Sequence, residues 1–238
     1  MKIIVCKNYD EMSQKGAEIV ASQIKNNPYT VLGLATGSTP EGMYAKLAKK
    51  YEAGELSFEN VKTANLDEYY PIVPENDQSY RYFMNKHLFD KINIDKKNTN
   101  VPDGTAADPD AEGRRYDALI ESLGGIDLQV LGIGRNGHIG FNEPDSKLIP
   151  GTHVTELTPN TIEANSRFFA SEDEVPKRAL TMGIGTILKS RKIIIMANGV
   201  EKRDAVRRML ENVVDTACPA TLLNLHADVT LICTEDAI

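Results

Sequence analysis

Short apolar runs of strand length alternate along the chain with longer segments whose apolar positions recur at helical spacing. Strands are predicted at Lys2–Cys6, Thr30–Ala35, Val61–Leu66, Asp127–Ile133, Ala179–Ile184, Lys192–Ala197 and Val229–Thr234. Helices are predicted over about Tyr9–Asn26, from Thr39-Pro40-Glu41 onward, and over Ser79–Phe89, Ala111–Leu123 and Val200–Leu210. Strands separated by helices indicate βαβ units, and hence an α/β fold with a mostly parallel central sheet and helices on both faces.

The chain of 238 residues is long enough for one large domain, and we expect a single domain over residues 1–238. The least regular stretches are Pro71–Asp77, Asn98–Pro109 and Glu143–Arg178. Long loops often serve as lids or binding loops, so a lid is predicted within residues 143–178.

The amino-acid composition excludes several classes of function. A net charge of −7 and a pI near 5.2 argue against a general nucleic-acid binder, although a local basic pocket for a small anion is allowed. No stretch approaches the ~20 apolar residues of a membrane span, and the N-terminus is typical of a first strand rather than a signal peptide. The cysteines Cys6, Cys218 and Cys233 are odd in number, far apart and without metal-ligand spacing, which favours a reducing compartment, by default the cytoplasm.

The segment Leu34-Ala-Thr-Gly-Ser-Thr-Pro-Glu-Gly joins a strand to a helix. Pro40 suits the first helical position, which leaves the amides of Gly37, Ser38 and Thr39 at the positive end of the helix dipole. Such a site suits a phosphate. The same pattern is also typical of an ordinary helix cap, and it lacks both the lysine and the glycine spacing of nucleotide-binding loops.

In Asn65-Leu-Asp-Glu-Tyr-Tyr, Asp67 and Glu68 follow a strand predicted to be buried. In an open α/β sheet, ligands bind outside the carboxyl ends of the strands, where a carboxylate could accept a proton from carbon. A solvated Asp-Glu turn explains the pattern equally well.

The run Gly-Ile-Gly-Arg-Asn-Gly-His-Ile-Gly-Phe-Asn-Glu-Pro at 132–144 follows another strand. Its glycines allow tight turns, and Asn136, His138 and Glu143 could form an acid–base relay because a nearby carboxylate orients and tunes an imidazole. Two cations, Arg167 and Lys202, are each typical surface charges, but as a pair outside strand ends they could clamp a phosphate.

Together with Ala-Asn-Ser-Arg-Phe-Phe at 164–169, these motifs in this order resemble the glucosamine-6-phosphate deaminase family over nearly the whole chain. The resemblance implies a modified Rossmann-like fold and an aldose–ketose isomerisation with deamination. Glucosamine 6-phosphate and water would give fructose 6-phosphate and ammonia in amino-sugar catabolism, without a metal or organic cofactor. The implied partner is this small-molecule substrate alone.

The resemblance also implies roles for individual residues. Asp67 matches the base that moves a proton between carbons 2 and 1 through an enolamine. His138 matches the group that assists opening of the sugar ring, with Glu143 as its partner, and Asn136 matches a ring-opening position. Residues Gly37, Ser38, Thr39, Arg167 and Lys202 match the phosphate cradle.

Two departures from the family pattern change these expectations. Asn136 replaces an aspartate found in some members, and an asparagine can orient an imidazole but cannot take up its charge. Longer members carry a basic stretch after Asn-Glu-Pro and an extended C-terminus, which serve an allosteric site in a hexamer. Here Asp145–His153 contains one lysine and the chain ends soon after its last strand, so a short, non-allosteric form and a monomer are expected.

Two alternatives remain. A 6-phosphogluconolactonase-like hydrolase would share the phosphate loop and the glycine–histidine segment, but lactone hydrolysis needs no base at carbon 2. A non-catalytic sugar-phosphate sensor would normally carry a DNA-binding segment, for which there is no room before Lys2. Release of ammonia from glucosamine 6-phosphate distinguishes the three.

Overall fold

The computed structural model describes residues 1–158, 162 and 175–238. The strands are β1 (Lys2–Cys6), β2 (Val31–Leu34), β3 (Lys62–Asn65), β4 (Asp67–Tyr70), β5 (Thr99–Asn100), β6 (Leu128–Gly132), β7 (His153–Glu156), β8 (Arg178–Thr181), β9 (Lys192–Ala197) and β10 (Val229–Thr234). The α-helices are α1 (Tyr9–Asn26), α2 (Ser38–Glu52), α3 (Tyr80–His87), α4 (Pro109–Ser122), α5 (Ile184–Leu188) and α6 (Arg203–Leu210). Most of the predicted elements are therefore present, with ends displaced by a few residues.

Within these ranges, seven strands form a parallel sheet in the order β1-β10-β9-β6-β2-β3-β5. The interior strand β2 is buried at every position, as its unbroken apolar sequence requires when helices cover both faces of a sheet. The predicted mostly parallel central sheet is confirmed.

Two apolar cores lie on the two faces of this sheet. On one face, helices α1, α2 and α3 contribute side chains such as Met12, Met43 and Met84. On the other face, helices α4, α5 and α6 contribute Tyr116, Ile187 and Met209 among others. The predicted packing of helices on both faces is therefore confirmed.

A second sheet, which the sequence patterns do not predict, carries part of the site. Strands β4, β8 and β7 pair antiparallel in the order β4-β8-β7, and Asp67, Thr181 and His153 lie side by side across them. The alternative of a solvated turn at Asp67 and Glu68 is thus wrong, because both residues belong to buried strand β4. The apolar run predicted at Ala179–Ile184 divides into the end of β8 and the start of α5.

The predicted lid lies mostly outside the described residues, since these omit 159–161 and 163–174. The described part of 143–178 includes β7 and the start of β8. No helix in the described ranges is long and apolar enough to span a membrane.

Candidate active site

A cavity of about 540 Å³ opens at the carboxyl ends of the adjacent strands β9, β6, β2 and β3. Ligand sites are expected at this edge of an open α/β sheet. Its lining includes the predicted site residues Gly37, Ser38, Thr39, Asp67, Asn136, His138 and Lys202. Glu143 lies behind this lining and contacts His138.

The predicted phosphate loop begins helix α2, though not in the predicted register. The helix begins at Ser38, with Gly37 as the N-cap residue at φ +90°, a backbone conformation that favours glycine. Pro40 is therefore the third helical residue rather than the first. It is tolerated there because N–H groups in the first turn have no partner within the helix.

The N-cap residue of α2 provides no capping side chain. Gly37 has none to offer, which makes the ordinary-cap interpretation wrong for this helix. The loop therefore presents the end of a helix dipole to the cavity, where an anion is stabilised by the amides and by the dipole together.

Tyr9 fixes the position of this loop from the neighbouring helix α1. Its hydroxyl donates to the carbonyl oxygen of Ser38 at 2.7 Å and accepts from the N–H of Gly42 at 2.8 Å. The close approach of the two helices requires Gly42, because a Cβ there would lie 2.9 Å from the Tyr9 ring. Helix α1 thus holds the first turn of α2 in place.

Asp67 is a buried carboxylate on the cavity wall, with 6% of its surface exposed. Its Oδ1 atom has no hydrogen-bond partner among the described residues. Burial and, to a smaller extent, the charge of Glu68 raise the pKa of Asp67 to about 8. A carboxyl group in this state is a much stronger base than an exposed aspartate.

Glu68, its neighbour in strand β4, is fully engaged in hydrogen bonds. Its carboxylate accepts from the backbone N–H groups of Tyr69, Tyr80 and Arg81 at 2.9, 2.8 and 3.0 Å. Burial raises the pKa of Glu68, while these bonds act in the opposite direction. Two of the three donors are the first residues of α3, so Glu68 holds the start of that helix.

The loop after β6 brings His138, Glu143 and Asn136 together, as predicted. The Nδ1 atom of His138 lies 3.2 Å from Oε1 of Glu143, close enough for an ion pair but not aligned as a hydrogen bond. Asn136 is expected to orient the imidazole, but its side chain makes no hydrogen bond to the imidazole ring. Its Nδ2 donates to Oε2 of Glu143 at 2.6 Å, and its Oδ1 accepts from the His138 backbone N–H at 3.2 Å. Asn136 therefore orients the carboxylate and the loop backbone.

Gly134 provides the surface against which the His138 ring lies. A Cβ at position 134 would lie 2.5 Å from both ring nitrogens, so only glycine leaves room for the imidazole. The second glycine of the motif is therefore required by the position of this side chain rather than by a positive φ.

Of the two predicted cations, Lys202 lines the cavity and Arg167 lies outside the described residues. Lys202 ends a 3₁₀ turn, Val200–Lys202, directly before α6. It reaches the same cavity as the N-terminus of α2, which agrees with a shared anion site.

Sequence reasoning missed several lining residues, namely Tyr9, Glu41, Tyr80, Arg135, Phe141, Asn198 and Glu201. Asn198 directly follows β9, and Arg135 lies three residues after the end of β6. The rule that ligands bind outside the carboxyl ends of strands would have found both. Tyr80 packs against Tyr69 and stacks on Phe141, with ring centroids 4.8 and 6.1 Å apart. Nothing in its local sequence distinguishes it from a core tyrosine.

Within the described part of the chain, no three histidine, cysteine or carboxylate side chains converge as metal ligands. The polar groups of the cavity instead form two sets. The α2 N-terminus and Lys202 suit an anion, and the Asp67 and His138–Glu143 groups suit proton transfer.

The fold and the cavity at its strand ends are those of an α/β enzyme. The chain belongs to the glucosamine-6-phosphate isomerase/6-phosphogluconolactonase family, whose model matches residues 7–232. This confirms the family resemblance that the motifs indicate.

The two activities in the family name are represented by different proteins, and these differ in their similarity to this chain. Glucosamine-6-phosphate deaminase from Clostridium perfringens is 54% identical, over all of this chain and 98% of its own length. The structure of a monomeric glucosamine-6-phosphate deaminase is 47% identical, with a TM-score of 0.97, covering all of this chain and 98% of that one. A 6-phosphogluconolactonase structure from Leishmania guyanensis shares the fold, with a TM-score of 0.76, but only 20% identity, covering 99% of this chain and 97% of that one. The deaminase interpretation is thus favoured over the lactonase alternative.

Proposed function

We propose that this enzyme converts glucosamine 6-phosphate and water to fructose 6-phosphate and ammonia. The observation that carries the proposal is Asp67, a buried carboxylate on the wall of the cavity with an oxygen that has no hydrogen-bond partner among the described residues. Isomerisation needs a base that takes a proton from carbon 2 and returns it to carbon 1, whereas hydrolysis of a lactone does not.

The pKa of about 8 fits Asp67 to this task, since a base that must both accept and return a proton works best with a pKa near the operating pH. Asp67 takes the proton from carbon 2 to give the enolamine, and the carboxyl group then delivers the proton to carbon 1. Addition of water at carbon 2 and loss of ammonia complete the conversion.

His138 and Glu143 assist opening of the sugar ring before this proton transfer. The Glu143 carboxylate lies 3.2 Å from Nδ1 of His138 and so orients the imidazole. Asn136 fixes Glu143 through its 2.6 Å hydrogen bond, so it acts on the histidine through the carboxylate.

The phosphate of the substrate binds at the start of α2. The amides of Gly37, Ser38 and Thr39 supply hydrogen bonds at the positive end of the helix, and Lys202 supplies charge from the other side of the cavity. Arg167 stays a predicted third member of this cradle. Tyr9 contributes indirectly, since it fixes the carbonyl of Ser38 and the amide of Gly42.

A coupled assay tests the proposal. Purified enzyme with glucosamine 6-phosphate should release ammonia and fructose 6-phosphate in equal amounts, while 6-phosphogluconolactone should be hydrolysed no faster than in buffer. Lactone hydrolysis without ammonia would favour the lactonase, and tight binding of the sugar phosphate without turnover would favour a sensor.

The monomeric state of the 47% identical deaminase supports a monomer for this chain as well. We also propose that residues 1–238 form a single domain. The kinetics should be hyperbolic, without activation by N-acetylglucosamine 6-phosphate, because Asp145–His153 carries one lysine where longer family members carry a basic stretch. The three cysteines are free and buried, which supports a cytoplasmic location.

A further inference from the structure

The groups proposed for proton transfer and for ring opening belong to separate parts of the fold. Asp67 lies on β4 of the small antiparallel sheet, and His138 and Glu143 lie on the loop after β6 of the parallel sheet. One substrate must meet both, so the distance between these two parts determines whether the chemistry is aligned.

Thr181, at the end of β8, contacts both parts. It is the cross-strand partner of Asp67 in the β4–β8 ladder, and partners in such a ladder point to the same face of the sheet. Its Oγ1 accepts a hydrogen bond from the backbone N–H of Phe141, in the loop after β6, at 3.0 Å. Thr181 is fully buried, so water does not replace this bond.

Asn142 makes a second connection beside the first. Its Nδ2 donates to the carbonyl oxygens of Ile139 and Met182, both at 2.8 Å. The first bond closes the turn Ile139–Asn142, which directly follows His138, and the second attaches this turn to the residue after β8. Asn142 is 3% exposed, and it directly precedes Glu143 in the chain.

Gly140 shows how closely the two parts approach. A Cβ at this position would lie 2.9 Å from Thr181 Oγ1, 3.5 Å from Asn142 Nδ2 and 3.8 Å from Asp67 Oδ2. Both connecting side chains and the carboxylate of the base therefore converge on one point of the loop backbone.

We infer that Thr181 and Asn142 are positioning residues that hold the Asp67 strand and the His138 loop at a fixed separation. The inference rests on the proposed function, since it assigns these residues to the alignment of base and ring-opening group. Loss of the Thr181 hydroxyl leaves the Phe141 N–H without its acceptor and lets the loop move relative to Asp67. A misplacement of about 1 Å can reduce turnover by about 100-fold.

The test compares Thr181→Val and Thr181→Ala, which remove the acceptor, with Thr181→Ser, which keeps it. With glucosamine 6-phosphate, we expect kcat to fall by about 10- to 100-fold in the first two variants. KM should stay within about threefold of the parent, because the phosphate site is untouched, and Thr181→Ser should recover most of kcat. Thr181→Ala decides the matter if the valine variant does not fold.

Thr63→Val is the matched control. Thr63 is another fully buried strand threonine, and its hydroxyl has no hydrogen-bond partner among the described residues, so kcat should be unchanged. The inference is overturned if the valine and alanine variants keep kcat within twofold of an active parent, if the serine variant is equally slow, or if the control is equally slow. An inactive parent would instead overturn the proposed function.

Discussion

Asp67 and Glu68 are adjacent buried carboxylates in strand β4, yet their surroundings differ completely. Glu68 accepts three backbone hydrogen bonds and holds the start of α3. Asp67 has an oxygen without a partner among the described residues and faces the cavity. Successive residues of a β-strand point to opposite faces, so Glu68 can stabilise the fold on one face while Asp67 faces the cavity on the other. The difference shows that hydrogen-bond satisfaction, rather than burial, separates the two roles.

The largest expected effect is on turnover by Asp67→Asn. An amide cannot accept the proton from carbon 2, so kcat should fall by about 10³-fold, within the range found for general bases. Binding of the sugar phosphate should persist, because the phosphate loop is unchanged. Exchange of the carbon-2 hydrogen with deuterated solvent should disappear together with turnover. Undiminished exchange would show that Asp67 is not the base, and Asp67 and Glu68 would then not differ in role.

Glu68→Gln should chiefly lower the free energy of unfolding. The amide nitrogen of glutamine replaces one acceptor oxygen and would face a backbone N–H, so that hydrogen bond is lost. A hydrogen bond to a charged group contributes about 1.5–3 kcal/mol. Chemical denaturation should measure this loss, while kcat below the unfolding transition should stay within about fivefold of the parent. A loss of kcat comparable to that of Asp67→Asn, in a protein of unchanged stability, would contradict the structural role.

Asp67→Asn should also stabilise the protein at alkaline pH. The pKa of Asp67 is about 8 in the folded state and about 3.9 in an unfolded chain. Between these values the native state holds more protons than the unfolded state, so the parent loses stability as pH rises, up to about pH 8. Asparagine does not titrate. The Tm of the variant should therefore exceed that of the parent by about 3 °C or more at pH 8.5, and this difference should shrink towards pH 4. A difference in Tm that does not depend on pH would show that the pKa of Asp67 is not raised in the folded state.

The smallest expected effect is on the pH profile. The acid limb of kcat/KM should report the pKa of the free Asp67, near pH 8. The charge of Glu68 is the second cause of this raised pKa, after burial. Glu68→Gln should therefore move the limb to lower pH, because it removes the like charge that raises the pKa of Asp67. A limb that moves to higher pH would contradict the assigned electrostatic coupling.

Most of the parallel sheet could be predicted because most of its strands are apolar runs between amphipathic helices. The exception is β5, which has only the sequence Thr-Asn and lies in a stretch expected to be irregular. The small sheet could not be predicted, since β7 has the sequence His-Val-Thr-Glu and β4 has Asp-Glu-Tyr-Tyr. Such polar residues form strands here because each pairs with β8, a contact between segments far apart in sequence. Local patterns carry no information on that pairing.

Site residues could be predicted where a side chain with acid–base or anion-binding chemistry lies close to the carboxyl end of a predicted strand. Asp67, His138 and Lys202 lie on the cavity as expected. The orientation of Asn136 was not predictable, because its two polar atoms could serve either the imidazole or the carboxylate, and only the turn around Gly137 decides between them. Tyr9 was missed because its hydroxyl acts on backbone atoms 29 and 33 residues away.

The contact between Gly134 and the His138 ring has a consequence for how this family can evolve. An alanine at position 134 is excluded as long as a flat imidazole occupies the space above it. A descendant that lost His138, for example on becoming a sugar-phosphate sensor, would be released from that exclusion. Positions 134 and 138 should then change together, so a side chain at position 134 is expected only where the imidazole no longer occupies this space.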